Sequence, residues 1–347
     1  MKRTAAQLAK EALERSLLEA RAGASVLRAA DLDPVADGHH ASRFAYGATL
    51  PVAVLRRVWR DAPAKRSFLR IKLTQVAFMI VTSILFTWAF LVREHFGKSG
   101  SALTVEAWVA FLSSFYGLLC FVEWSIIALS KDHDDQLARK ASLLAGVPPE
   151  DEEARARVRV DVPWMWRKAK RRVRGLVVIA TGFPLMAITL IVPGMQLAYP
   201  VLVFAWTAYW VAAFTAAKSS AAWADEARWP AYEPFFLRGA TLLTTHAAGF
   251  RWWAPRAYSA LWRKTTRSMF APCRLVELAP RELFGLAAAR AVLGIPGVYL
   301  VMRPLFRVAA ARVVIGATRS EAARPAAAAP TAAGETHHTD PHPTSAA

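Results

Sequence analysis

The chain is poor in the residues that metal, redox and nucleophilic chemistry draw on, with two cysteines and eight histidines in 347 residues. Cys120 lies inside an apolar run and Cys273 in a basic one, without pairing pattern or metal-ligand spacing, so each reads as a reduced thiol. There is no Walker loop, HExxH, GxSxG or dinucleotide fingerprint, so no familiar enzyme or cofactor class is indicated. Negative charge is also short, with 26 Asp+Glu against 44 Lys+Arg and a net charge of +18.

What is abundant is apolar surface. Hydrophobic residues make up 55% of the chain, 13 of them Trp, which points to a multi-pass membrane protein. The basic excess flanks the apolar runs, so anionic lipid and the positive-inside rule account for it without nucleic acid. Met1 to Arg28 does not read as a signal peptide, because Glu11, Glu14 and Glu19 interrupt any apolar core.

Hydropathy and charge divide the chain into six segments. Residues 1–70 form a basic segment with two amphipathic helices, one over 4–21 and a surface-lying one in 42–70 with Val52, Leu55, Val58 and Trp59 on one face. Residues 71–129 form a first transmembrane hairpin. Its first span, Ile71 to Val92, would extend about 33 Å against a hydrocarbon core of about 30 Å. Residues 130–174 form a charged loop, and 175–217 a second hairpin turning at Pro193-Gly194. Residues 218–318 form a basic, aromatic membrane-surface region. Its uncharged runs Gly239 to Phe250 and Ala291 to Met302 have 12 residues each, nearer re-entrant than spanning length. Trp229, Trp252, Trp253, Tyr258 and Trp262 suggest a belt at headgroup depth, and a span through Phe284 to Phe306 would need a partner for Arg290. Residues 319–347 read as a disordered tail.

The fold class is therefore all-α, with four transmembrane helices in two hairpins, interfacial helices and that tail. The connection Lys131 to Arg174 carries 12 Lys+Arg, whereas the two hairpin tips carry almost none. Both termini are thus expected in the cytoplasm, and the Ala- and Arg-rich composition suggests a bacterial cytoplasmic membrane.

Glu123 is the most pointed candidate residue, about 9 Å inside the end of the second span, a depth that demands water or a partner. Lys72 and Gln75 lie at similar depth on the first span and are expected to pair with it. Together they make a candidate proton- or cation-binding group, or simply a hydrogen bond that holds the hairpin. Arg167, Lys168, Lys170, Arg171, Arg172 and Arg174 precede the third span, beside Trp164 and Trp166, and are expected to contact lipid headgroups. Gly182 and Pro184 should kink that span. His337, His338, Asp340 and His342 lie in the tail, which would not preorganise a metal site.

Two resemblances touch short stretches. Asp132 to Arg139 (DHDDQLAR) resembles in outline the metal motif of CDP-alcohol phosphotransferases. Gln136 replaces the required Gly and Ala138-Arg139 falls one residue too close, so the stretch reads as a solvated acidic patch. Gly175-Leu176-Val177 with Pro184 beyond resembles, over about 20 residues, the CysZ-like sulfate permeases, which would imply a passive anion path; no site residue carries over. The leading functional expectation is a non-catalytic membrane component that recruits or organises a protein partner through basic cytoplasmic segments. A small transporter or channel using Glu123, which could assemble as a homo-oligomer, is the alternative, and an unfamiliar membrane enzyme is the third.

Overall fold

The computed structural model describes residues 5–33, 39–92, 105–150, 153, 156–159, 161–191, 193–224 and 232–328. Every regular element among them is helical, and four helical segments are long and apolar enough to cross a membrane: Ala62–Ala89, Trp108–Leu129, Val162–Ile191 and Ala198–Ala216. The tip at 93–104, Trp229 and the tail from 329 lie outside the described residues.

After α1 (Ala5–Ala29) and α2 (His40–Arg60), the first span begins earlier than hydropathy suggests. α3 (Ala62–Phe86) starts where the Asp61 carboxylate accepts the Ala64 N–H at 2.8 Å and Pro63 occupies the first turn. It ends in a π-helical turn, Thr87–Val92. α4 (Val105–Leu129) follows, and α5 (Lys131–Leu144) leaves it after Ser130 alone. α6 (Val162–Ala180) repeats the Asp-x-Pro start, Asp161 accepting the Trp164 N–H at 2.9 Å. A carboxylate cap satisfies an amide that the helix leaves open, and Pro lacks a donor there anyway. The basic residues before spans one and three are therefore on the same helices as the spans, below their apolar parts.

The expected break at Gly182-Pro184 separates α6 from α7 (Phe183–Ile191), and it is filled by packing. Trp206, on α8 (Ala198–Ala216), lies so close to Gly182 that a Cβ there would sit 2.3 Å from the indole. Its Nε1 donates to the Ile179 carbonyl at 2.9 Å, and the Tyr258 hydroxyl donates to the Thr181 carbonyl. Carbonyls loosened by the break thus find aromatic donors. Trp206→Phe should destabilise the protein by about 1–2 kcal/mol, because the ring volume largely stays while one donor leaves. Thermal melting in mild detergent measures this, and an unchanged midpoint would remove the hydrogen bond from the account.

The region after α8 is more deeply built into the protein than its composition suggests. It contains α9 (Ala221–Ala224), α10 (Phe235–His246), α11 (Trp253–Thr266), α12 (Phe270–Leu278), α13 (Pro280–Val292) and α14 (Val298–Ala328). α14 runs through the core, with Leu300, Leu305, Phe306 and Val308 to Ala311 all buried. It packs against α2, α3, α5, α8, α12 and α13. The segment Phe284 to Phe306 does not form one span: α13 and α14 are separate helices, the turn between them closing at Gly297 with φ of 88°. α14 also carries helix to Ala328, into what the sequence suggests is disordered tail.

The aromatic belt divides. Trp262 is buried against Phe236, the rings tilted with centroids 5.0 Å apart, in a cluster that includes Trp206 and Trp210. Trp252 and Trp253 remain exposed. Of the α2 face expected to lie on lipid, Val52 and Trp59 are exposed, Leu55 is half-buried and Val58 is buried. A neighbouring face, with Ala45, Leu50, Ala53 and Val54, is covered by protein, where α13 and α14 pack on the helix.

Candidate functional site

α3, α5 and α14 meet at one end of the first two spans and place four polar side chains out of contact with solvent. Lys72 on α3 directs its ammonium to Asp134 Oδ1 at 2.6 Å, Gln75 Oε1 at 2.9 Å and the Leu300 carbonyl at 2.9 Å. These acceptors use all three of its protons. Arg303 on α14 donates to Asp134 Oδ2 at 2.7 Å. The side chains of Lys72, Asp134 and Arg303 are 4%, 2% and 7% exposed. Gln75 Nε2 donates to Ser130 Oγ at 2.7 Å and to Asp134 Oδ1 at 3.2 Å, and Ser130 passes its proton bond to the Ile126 carbonyl at 2.6 Å.

Pro304 explains why the Leu300 carbonyl can accept from Lys72. In a helix that carbonyl would bond the N–H four residues on, and Pro304 has none. The Lys72 ammonium thus bonds an acceptor that the helix cannot satisfy. Asp134 lies in the acidic first turns of α5, where the helix dipole favours negative charge. Burial alone would raise its carboxyl; the adjacent Lys72 ammonium and Arg303 guanidinium outweigh burial and hold it below the ordinary aspartate range.

This corrects two sequence expectations. The stretch Asp132 to Asp135 is not a solvated patch. Asp134 is a buried hub, Asp135 pairs with Arg307 of α14 and lies 3.8 Å from Lys131, and Asp132 lies 3.6 Å from Arg159. Second, Lys72 and Gln75 spend their polar groups on Asp134 rather than on Glu123. Glu123 is buried on α4 and accepts the Gly297 N–H at 3.3 Å, at the start of α14. A carboxylate at that position answers open amides and the positive end of a 31-residue helix. The difference follows from α14, which composition assigns to the membrane surface and the fold places in the bundle.

The basic stretch before the third span also divides. Arg167, Lys170, Arg171, Arg172 and Arg174 are exposed, as a headgroup contact requires, while Lys168 is half-buried with its ammonium 4.9 Å from the centre of the Trp164 ring. Beyond α8, Lys218 donates to the Tyr299 hydroxyl at 2.9 Å, and Arg290 to Thr215 Oγ1 at 3.0 Å. Arg312 ties distant segments together, donating to the carbonyls of Leu32 at 2.8 Å and Ala145 at 2.7 Å. The sequence reading missed Asp134, Arg303, Arg307 and Arg312 as organising residues. Their signal was Arg303 and Arg307, four residues apart on one side of a helix in which Pro304 leaves a carbonyl without its helical partner; Arg312 lies on the opposite side.

The class these features define is an all-helical membrane protein with four candidate spans and a buried ionic cluster at their ends. No protein family matches the chain, nor does any curated protein or solved structure.

Proposed function

We propose that the chain is a non-catalytic, multi-pass component of a bacterial cytoplasmic membrane, whose cytoplasmic helical body recruits or organises a protein partner. The observation that carries this reading is the saturation of Lys72: its three protons, and both oxygens of Asp134, are taken up by other parts of the same chain. A transport site needs polar groups free to exchange partners with a solute, and this cluster spends its groups on joining α3, α5 and α14. Glu123 likewise is committed to the start of α14.

Packing supports an arrangement in two hairpins with both termini on one side. α2 touches α5, α13 and α14, which supports placing the segments before the first span, between the second and third, and after the fourth on one side. Only an even number of crossings between them permits that. Positive charge then places that side in the cytoplasm. α1 supplies a surface for a partner, with Leu13, Leu17, Leu18 and Leu27 exposed beside glutamates.

The test combines two experiments on the full chain. Cross-linking in intact membranes, followed by purification in mild detergent, should capture a defined protein with α1, and alanines at Leu13 and Leu17 should lose it. In vesicles containing a pH-sensitive dye under an imposed proton gradient, the protein should leave the dye response at the empty-vesicle level. Proton flux that Glu123→Gln abolishes would replace the scaffold reading with a transporter.

A further inference from the structure

Not all cations around the ionic cluster have carboxylates. Asp134 serves Lys72 and Arg303, Asp135 serves Arg307, and Glu123 faces Arg172 and Arg303. Lys168, Lys218 and Arg290 have no carboxylate at ion-pair distance among the described residues, although all three are at least half-buried. They come from three elements, α6, the end of α8 and the last turn of α13. Lys168 and Lys218 lie close enough to act electrostatically on each other, on Arg303 and on Arg172, with the Tyr299 hydroxyl beside them.

Lone cations withdrawn from water cost several kcal/mol unless an anion joins them. The carboxyl end of α8 and the Tyr299 oxygen offset part of this for Lys218, but both carry only partial charge. Burial, followed by Arg290, Arg303, Arg172 and Arg307, pushes the Lys218 ammonium well below the usual lysine range. Among the described residues the cluster thus gathers more basic groups than carboxylates in a confined place, and a bound anion would favour the charged form of Lys218.

We propose that Lys168, Lys218, Arg290 and the Tyr299 hydroxyl form a binding site for the phosphate group of an anionic lipid, held at the cytoplasmic ends of the third and fourth spans. A phosphate offers several acceptor oxygens to a guanidinium, two ammoniums and a phenol, a set that neutral headgroups do not satisfy on charge. Lipid is the source assigned because the site lies beside the ends of two candidate spans, Val162–Ile191 and Ala198–Ala216. Trp164 and the exposed Trp166 precede Lys168, and exposed apolar surface continues further along α6 at Val173, Leu176 and Val177. The site goes beyond the exposed arginines of the same helix, which any anionic surface would attract. It rests on the membrane reading, which carbonate-washed membranes check separately: a chain released by the wash would remove that reading, whatever the lipid result.

Native mass spectrometry of the delipidated full chain in mild detergent, supplied with phosphatidylglycerol or phosphatidylcholine, tests it. Wild type should retain one phosphatidylglycerol in preference to phosphatidylcholine. Lys168→Gln with Lys218→Gln should weaken retention about twenty-five-fold, two cations each contributing roughly five-fold. The outward pair Arg171→Gln with Arg174→Gln should change it less than about two-fold, the usual effect of exposed charges. Without lipid, the inward double variant should melt at or above the wild-type temperature, since it relieves repulsion, and should lose the upward shift that phosphatidylglycerol gives wild type. Equal weakening by both pairs, or no preference for phosphatidylglycerol, overturns the proposal. Equal competition by millimolar inorganic phosphate would keep the phosphate site and overturn lipid as its source.

Discussion

Asp134→Ala should cost about 3–5 kcal/mol and leave little folded protein in detergent, because it strands Lys72 and Arg303 in the interior with no counterion. The penalty reflects the charges left behind more than the strength of the pair. Lys72→Met should therefore cost less: it leaves Asp134 paired with Arg303, and the methionine follows the lysine stem through the same space. Asp134→Asn should fall between them, since an amide oxygen can still accept from one cation but carries no charge. Thermal melting of the three variants checks this order. An Asp134→Ala protein within about 0.5 kcal/mol of wild type would mean that water reaches the cluster and screens it. The pH dependence has a fixed sign. A carboxyl held below its unfolded value near 3.9 contributes stability that is fully present above that value and is lost as pH falls through the folded one. The Asp134 contribution should thus persist across neutral pH and disappear only in strong acid. In Asp134→Ala that acid-dependent component should be missing.

Span existence was legible in the sequence, because length and hydropathy act locally; interior partners were not. Lys72, Gln75 and Glu123 were conspicuous because charge inside an apolar helix is expensive wherever it goes. Which of them meets which depends on α14, whose mixture of alanines and arginines has neither the length of uncharged residues that marks a span nor the alternation that marks a surface helix. Its arginines make it look exposed, yet each of Arg303, Arg307 and Arg312 is drawn inward by a carboxylate or by open helix-end carbonyls. Helix starts are legible in the sequence: Asp61-Ala62-Pro63 and Asp161-Val162-Pro163 are cap signatures, and hydropathy alone marks the apolar boundary about ten residues later. Asp134 looked solvated because the cations that neutralise it, Lys72 and Arg303, are 62 residues away in one direction and 169 in the other.

Gly47→Ala and Gly285→Ala should each destabilise the protein by about 3 kcal/mol, from opposite sides of one helix crossing. A Cβ at Gly47 would lie 2.0 Å from the Glu282 carbonyl oxygen and 2.7 Å from its carbon; one at Gly285 would lie 2.0 Å from the Phe44 oxygen and 3.0 Å from the Ala48 nitrogen. These are backbone atoms, which cannot rotate away as a side-chain tip can. The helices α2 and α13 must therefore separate, and the contacts of Leu50, Leu283 and Leu286, all fully buried, loosen with them. Arg43 and Glu282, 2.5 Å apart across the same crossing, would be drawn apart as well. The two substitutions should not add. Once one Cβ has parted the helices, the second finds space already opened, so the double variant should lose clearly less than the sum. Gly316→Ala supplies the opposite sign: nothing lies within 4 Å of its Cβ position on α14, and alanine in an open helical site should stabilise by up to about 1 kcal/mol. Melting midpoints of the four variants in one detergent decide the matter. If Gly47→Ala and Gly285→Ala melt with Gly316→Ala, α2 and α13 do not cross as closely as described, and the joint between the amino-terminal segment and the carboxyl-terminal helices must be made elsewhere.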